Sequence, residues 1–475
     1  MVKGGLKKEI RWYGMLAFGV AGIIGTSWTY MNTRFYELYG PGGVILGFGI
    51  GTVMAALIAL SYAELGSAIK REGGEVAFAY PAFGLKGSFA SSWMLFLGYI
   101  TGALSFYVIG LSLLLSWFLP QLNTIPIYSV AGTPVYLPSL IVGIAGALFF
   151  FYINYRGVKV AQGFQVALFA ILIAIGAMAL VVALIKGSIE NMHPLFPEGM
   201  NPLRASLRFT LITIGYLTGF SMLTMVGEEA AVSGRTFGMI IVMSVTLAGV
   251  FYILQMFSGA ILMPVTESVN LERGLIDEMS LVARPLGYAM WIAAFIGMVT
   301  SWNAAMLAGS RLVFSMARMG LLPEIFARLH PKYGTPVNAL LLSTGVSIVF
   351  GMLGLGALVW FLDITGIAIG VAWAISVLSM ILLRRRFPKL DRPFKAPFGY
   401  ITGLIALGLV LTVTVIPLIP GTSMSIEWPH EYGVLIFWIV LGALLYQSSK
   451  RRWKELGEET VARNLLGEYY DSLYR

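Results

Sequence analysis

The 475-residue sequence has no cysteine, only three histidines, and a charged fraction of just 12%. Without thiols, there can be no disulfides, thiolate metal sites or cysteine nucleophiles. His193, His330 and His430 each stand beside a proline in predicted loops, where solvated side chains are expected rather than metal ligands. The charged share is about half of the ~25% usual for a soluble protein, while 58% of the residues are hydrophobic. That combination defines a membrane protein. No convergent nucleophile, base or metal-ligand cluster is visible within the apolar segments, which argues against an enzyme. A channel would need repeated filter or charged-ring sequences, and none appears.

Four segments, Val160 to Ile185, Thr236 to Met263, Pro285 to Ser310 and Ile364 to Leu383, carry no charged side chain. Each reaches the ~20 residues needed to cross a bilayer. Eight more are predicted at Tyr13 to Asn32, Val44 to Ala63, Phe89 to Leu119, Pro138 to Tyr155, Phe209 to Gly227, Val337 to Leu355, Phe398 to Pro420 and Tyr432 to Ser449. The expected fold is thus an all-α membrane protein of about 12 transmembrane helices. The basic start before Tyr13 imitates a signal peptide, but the apolar run is too long for one and no small-residue cleavage site follows.

Twelve spans put both termini on one side. If that side is cytoplasmic, most of the 32 basic residues fall inside, from Lys3, Lys7 and Lys8 to the runs Arg384, Arg385, Arg386 and Lys450, Arg451, Arg452. Only Arg34, Lys186, Arg204, Arg208, Arg273 and Arg284 fall outside, as the positive-inside rule expects. The formal charge of +9 then reflects topology and contact with anionic lipid rather than nucleic acid. The expected location is the cell membrane, multi-pass, with both termini cytoplasmic.

Two spans are interrupted by glycine. The first holds Val20-Ala21-Gly22-Ile23-Ile24-Gly25-Thr26-Ser27, and the sixth holds Gly215-Tyr216-Leu217-Thr218-Gly219-Phe220-Ser221. An unravelled turn in hydrocarbon leaves N–H and C=O groups unpaired, so it persists only where it lines a cavity or meets a ligand. The two breaks are the expected binding site, against the alternative that the glycines serve close helix packing. Each break leads a group of five spans, residues 11–186 and 204–387, in opposite orientation. This is the pattern of a 5+5 inverted repeat. Residues 398–449 add two further spans, and residues 450–475 form a tail with an amphipathic helical pattern.

Further motifs resemble a family. They are Tyr62-Ala63-Glu64-Leu65-Gly66, Gly73-Gly74 with Tyr80, Asn154-Tyr155-Arg156-Gly157-Val158-Lys159, the stretch Ser310 to Pro323 with Pro336, and Arg392-Pro393-Phe394-Lys395-Ala396-Pro397. Five such motifs in order, from about Gly14 to Gly399, resemble the amino acid-polyamine-organocation superfamily of transporters, whose members adopt the leucine-transporter fold. The resemblance implies secondary transport of an amino acid by alternating access, by symport or exchange. It implies that Gly22, Gly25, Thr26 and Ser27 hold the substrate carboxylate, as expected of a half-helix N-terminus. It also assigns the substrate amino group and an aromatic cover to Gly215, Tyr216, Gly219, Phe220 and Ser221, with Phe220 as the covering ring.

The departures from the family pattern bear on substrate and coupling. Ser27 stands at a usual glycine, and Ser221 at a position that is frequently acidic. With no carboxylate in these stretches, a neutral amino acid is expected. The fifth span has no lysine, and Leu172 falls near the position where proton-coupled relatives place one. The adjacent hydroxyls of Thr300 and Ser301, with the carbonyls of Ala21, Ile24 and Gly297, suggest a sodium site. Hydroxyls that bond back to their own helix are the competing reading. No cofactor is expected beyond such a sodium ion. Glu64, Glu228, Glu229 and Arg318 are read as interfacial anchors or an inner gate, and Arg311, Lys332 and Arg384 to Arg386 as lipid-facing anchors or end caps. Asp363 is read as a helix cap or a partner for Arg34 or Arg208. Amino acid and membrane lipid are the expected partners, and no oligomeric state follows.

Overall fold

A computed structural model describes residues 6–422 and 425–474. Lys3 and Arg475, counted above among the basic residues, lie outside the described residues. Helix dominates, and among the described residues one β-hairpin, Pro126–Val130 against Thr133–Tyr136, lies in the loop between the third and fourth spans. Among the described residues, nine helices are long and apolar enough to cross a membrane. The chain is an all-α membrane protein.

Twelve segments account for the path. The first helix, Trp12–Ile23, ends at the glycine step, and a short turn of helix, Ser27–Thr29, follows. The chain then re-enters helix at Asn32 and runs to Ala68. Gly40, with φ of 69° just before Pro41, bends that run. The glycine adopts a backbone angle that a side chain disfavours, and the proline cannot continue the hydrogen-bond ladder. The first span therefore extends to about residue 39 and the second begins at Pro41, later and earlier respectively than the hydropathy pattern predicts. The third span, expected from Phe89, is preceded by a short helix from Glu75 that joins it at Gly84, where φ is 65°. Its middle, Phe96–Leu104, is π-helix, a local form concentrated at functional sites.

The remaining spans are Leu137–Tyr155, Val158–Lys186, the broken sixth from Pro202–Tyr216 to Gly227–Glu229, then Gly234–Leu262 and Arg284–Arg318. Val337–Gly351, Gly354–Arg386, Tyr400–Val415 and His430–Leu456 complete them. The eighth span buries almost its whole length, from Met290 to Arg318, and forms the central post of the bundle. The tail folds into two short helices, Glu458–Leu466 and Tyr469–Tyr474, whose Val461, Leu465 and Leu466 are buried against the body.

Both termini share one face, and that face is sealed by ion pairs. Arg311, fully buried, binds both carboxylate oxygens of Glu229 at 2.8 and 2.7 Å. Arg318 pairs with Glu228, as does Arg71 at 2.7 Å. Arg384 and Arg392 both hold Glu64. The lipid-facing reading of Arg311 and Arg384 is thereby corrected: a guanidinium without water or a lipid head group needs a carboxylate, and these two have one each. Arg386 instead donates to the Ala82 carbonyl. Asp363 pairs with neither candidate arginine; it faces Glu431, while Arg34 bonds Glu37. Two histidines are also in aromatic contact, His330 with Tyr155 and Tyr333, and His430 stacked on Trp360 at 4.6 Å.

Breaking a buried pair by removing one partner typically costs about 3–5 kcal/mol. Arg311→Leu is expected to lower the thermal midpoint of the purified protein sharply, and Arg311→Leu with Glu229→Leu to restore most of it. A single variant as stable as the parent would show that the pair does not hold this face closed.

Candidate substrate site

The two breaks meet at the centre of the bundle. A Cβ on Gly219 would lie 2.7 Å from the Gly22 carbonyl oxygen, and one on Gly297 would lie 2.3 Å from the Gly25 oxygen. Only glycine allows these approaches of the sixth and eighth spans to the first. Gly25 and Gly215 have nothing within 4 Å of such a Cβ: they face open space. That space is a cavity of about 790 Å³, within the 300–1,000 Å³ of ligand sites.

The cavity runs from the breaks towards the face opposite the termini. Its floor includes Gly22, Gly25, Thr26, Ser27, Gly215, Tyr216 and Gly219. Phe220 and Ser221 do not line it. Phe220 is fully buried one layer below, edge-on to Tyr62 at 5.4 Å and tilted against Trp373 at 5.0 Å. Ser221 bonds the Tyr99 hydroxyl at 2.5 Å, and it is Tyr99 that reaches the cavity wall. In this open state the rings lining the cavity include Tyr30, Tyr99, Tyr107, Tyr216, Tyr252 and Trp373.

Tyr252 of the seventh span is the residue that sequence reasoning missed. Its hydroxyl accepts from the Gly25 N–H at 3.1 Å and donates to the Ile23 carbonyl at 2.9 Å. One side chain thus satisfies a donor and an acceptor that the break exposes. The N–H groups of Thr26 and Ser27 make no hydrogen bond among the described residues, and the buried Thr26 hydroxyl faces that of Tyr30. Two free amides at the floor of a cavity are groups that an anionic atom would satisfy. No sequence signal marks Tyr252, which lies in a charge-free helix beside Phe251.

The eighth span brings Thr300 and Ser301 against the first break. The Thr300 hydroxyl lies 3.3 Å from the Ala21 carbonyl oxygen and 3.2 Å from that of Gly297. Ser301 lies 3.3 Å from Ala21 and 3.4 Å from Ile24. All five expected residues converge, and a hard cation holding oxygens at about 2.4 Å would space its neighbouring ligands about 3.4 Å apart. Thr300 also bonds back to Ile296 at 2.9 Å, so the hydroxyl has a helical partner as well. From behind, Gln165 of the fifth span donates to the Thr300 carbonyl at 3.2 Å, and Asn303 and Asn154 continue the amide ladder. Leu172 is buried and apolar.

Among the described residues, carboxylates line the cavity only higher on its wall. Asp363, Glu427 and Glu431 line the cavity near its mouth; Asp363 stands six residues, about 9 Å of helix, above Ile369. The reading of the break sequences as free of carboxylates holds for the floor and omits this rim.

Two broken helices converging on a cavity closed at one face and open at the other define a membrane transporter. The amino acid permease family model matches residues 10–444, and the chain belongs to that family, within the amino acid-polyamine-organocation superfamily. It is similar to the methylthioribose transporter of Bacillus subtilis, 26% identical over 93% of each chain, and to the branched-chain amino acid permease BcaP of the same organism, 24% identical over 95% of each. It also resembles the human Asc-type amino acid transporter 1, 24% identical over 91% of this chain and 82% of that one.

Tyr252→Phe removes one hydroxyl and leaves Gly25 N–H and Ile23 C=O unpaired, at a cost of about 1–3 kcal/mol. The expected outcome is at least a several-fold loss of ligand affinity, measured by thermal-shift titration. Unchanged affinity and stability would mean that the break is held without Tyr252.

Proposed function

We propose that this transporter carries a neutral amino acid by alternating access, with the two breaks as its central site. The observation that carries the reading is the pair of unbonded N–H groups at Thr26 and Ser27, beside the open face of Gly25. A carboxylate docked there meets two donors and the positive end of the half-helix dipole. The carbonyls of the sixth-span break, near Gly215 and Tyr216, receive the amino group, the Gly215 oxygen also accepting from the Thr218 hydroxyl at 3.3 Å, and no charged side chain on the floor recognises the rest. Residues 11–186 and 204–387 act as the two inverted repeats, the termini face the cytoplasm, and the cavity described above opens to the outside. The relatives named for amino acids support this substrate class, while the methylthioribose transporter among them makes a neutral sugar-like solute the competing cargo.

In this account the sealed terminal face and the open cavity are one end state of the cycle. Closure brings the rings around the floor over the substrate, and the inner ion pairs part to release it. The oxygens at Ala21, Ile24, Gly297, Thr300 and Ser301 suit a sodium ion, which would bridge the first and eighth spans and link their spacing to substrate binding. An exchanger would need no such ion, and the rim carboxylates supply a route by which a cationic substrate would be drawn instead.

Thermal stabilisation across amino acids, their amides and methylthioribose tests the site. A saturating ligand at about 100 times its dissociation constant adds about 2.7 kcal/mol of stability. Neutral amino acids are expected to stabilise, their amides to fail, and Gly25→Val to abolish the effect by filling the open face. Amides that bind as tightly as the acids would remove the carboxylate from this position. For coupling, substrate affinity in sodium is expected to exceed that in choline, and Thr300→Ala with Ser301→Ala to erase the difference. Equal affinities in the two buffers would dismiss the sodium site.

A further inference from the structure

Below the sixth-span break lies a fully buried carboxyl that the transport site does not use. Glu75 opens the short helix that follows Gly73 and Gly74, and its side chain is inaccessible to solvent. One oxygen lies 3.1 Å from the Thr224 hydroxyl, and the Tyr62 hydroxyl also bonds the carboxyl. Gly74 brings it there: a Cβ at that position would fall 2.3 Å from the Thr224 hydroxyl, so only glycine lets this turn press against the sixth span.

The groups around Glu75 are all neutral. Tyr62 of the second span, whose hydroxyl bonds it, and Tyr99 of the third face it. Ser376 of the tenth span faces Tyr62, and Thr224 comes from the sixth. Ser315 of the eighth closes on Gly73, without a partner among the described residues. No salt bridge reaches Glu75 among the described residues. Its neighbour Glu72, by contrast, lies within the field of Arg311 and Arg318. A carboxylate buried without a cation costs several kcal/mol, whereas the neutral acid fits this nest of hydroxyls and has a proton to donate.

We propose that Glu75 is a proton-binding site that latches the terminal-side gate, the closed gate requiring its neutral form. The contact that buries Glu75 is with Thr224, and Thr224 belongs to the sixth-span stub that ends in Glu228 and Glu229, the carboxylates of the inner ion pairs. Opening this face moves the stub, breaks the Thr224 bond and admits water, into which the acid can release its proton. Reclosing needs the proton back. Ser221, bonded to Tyr99 at the cavity wall, has its backbone carbonyl bonded by Thr224 at 2.7 Å, so the latch is mechanically tied to the substrate floor. This proposal rests on the alternation of the two faces, not on the identity of the substrate.

The absence of native cysteine provides a readout independent of any cargo. A single cysteine at buried Ala317, near the inner end of the eighth span, reports opening through its alkylation rate, taken relative to a cysteine at exposed Lys389 to cancel the reagent's own pH dependence. In the otherwise native chain the ratio is expected to rise roughly tenfold from neutral to alkaline pH, since losing the proton favours the open face. In the Glu75→Gln background it is expected to stay low and flat. Thr224→Val, which removes one of the donors that favour the ionised form, is expected to move the rise to higher pH and serves if the glutamine variant fails to fold. A rise unchanged by Glu75→Gln, a Thr224→Val profile that does not move, or no rise in the parent would overturn the proposal. If the latch behaves as expected while no amino acid stabilises the protein, the proposed substrate fails and the latch stands.

Discussion

Everything at the centre of this molecule depends on backbone groups that a membrane leaves without water. A continuous helix bonds every N–H and C=O internally; the first and sixth spans do not, and each missing bond must find a substitute. Tyr252 supplies two, to Gly25 and Ile23. The close approach of Gly219 to Gly22 and of Gly297 to Gly25 packs the exposed segments without intervening side chains. What remains unpaired, the amides of Thr26 and Ser27, is available to a ligand. The cost of breaking the first helix is thereby partly offset, and these two amides mark the proposed substrate position.

A second constraint shapes the opposite end. Transport needs one face closed while the other is open, and a closure made of apolar packing alone would resist reopening. Here the seal combines buried arginine and carboxylate pairs with the docked tail: Arg71 holds Glu228 while donating to the carbonyls of Asn464 and Leu465. Ion pairs close to break-even against desolvation when paired and are costly when split, which gives the gate two discrete arrangements rather than a continuum. The proposed latch sets Glu75 beside this charged cluster but outside its ion pairs.

Much of this was legible in the sequence. Charge-free runs marked the spans because hydrocarbon tolerates little else, and the glycine steps marked the breaks because a helix interrupted in hydrocarbon needs a reason. Boundaries were less legible at Gly40 and Gly84, where a bend inside apolar sequence changes no hydropathy. Arg311 was misread because a basic residue near a span end looks the same whether it meets lipid or a carboxylate. Its spacing of seven from Arg318, two helical turns on one face, was the available clue that both serve one cluster. Phe220 falls where the family pattern expects the covering ring, yet packing turns it below the floor in this state and leaves Tyr216 on the wall. Tyr252 had no signature, since its partners are backbone atoms more than 220 residues away.

The central claim is that the first break receives the anionic end of the substrate. An experimentally determined density map of the protein with a bound neutral amino acid tests it most directly. The account requires the carboxylate oxygens within hydrogen-bond distance, about 2.7–3.2 Å, of the Thr26 and Ser27 amide nitrogens, with the amino group towards Gly215 and Tyr216. A substrate seated instead at the rim, beside Asp363 and Glu431, with those two amides still unbonded, would contradict it.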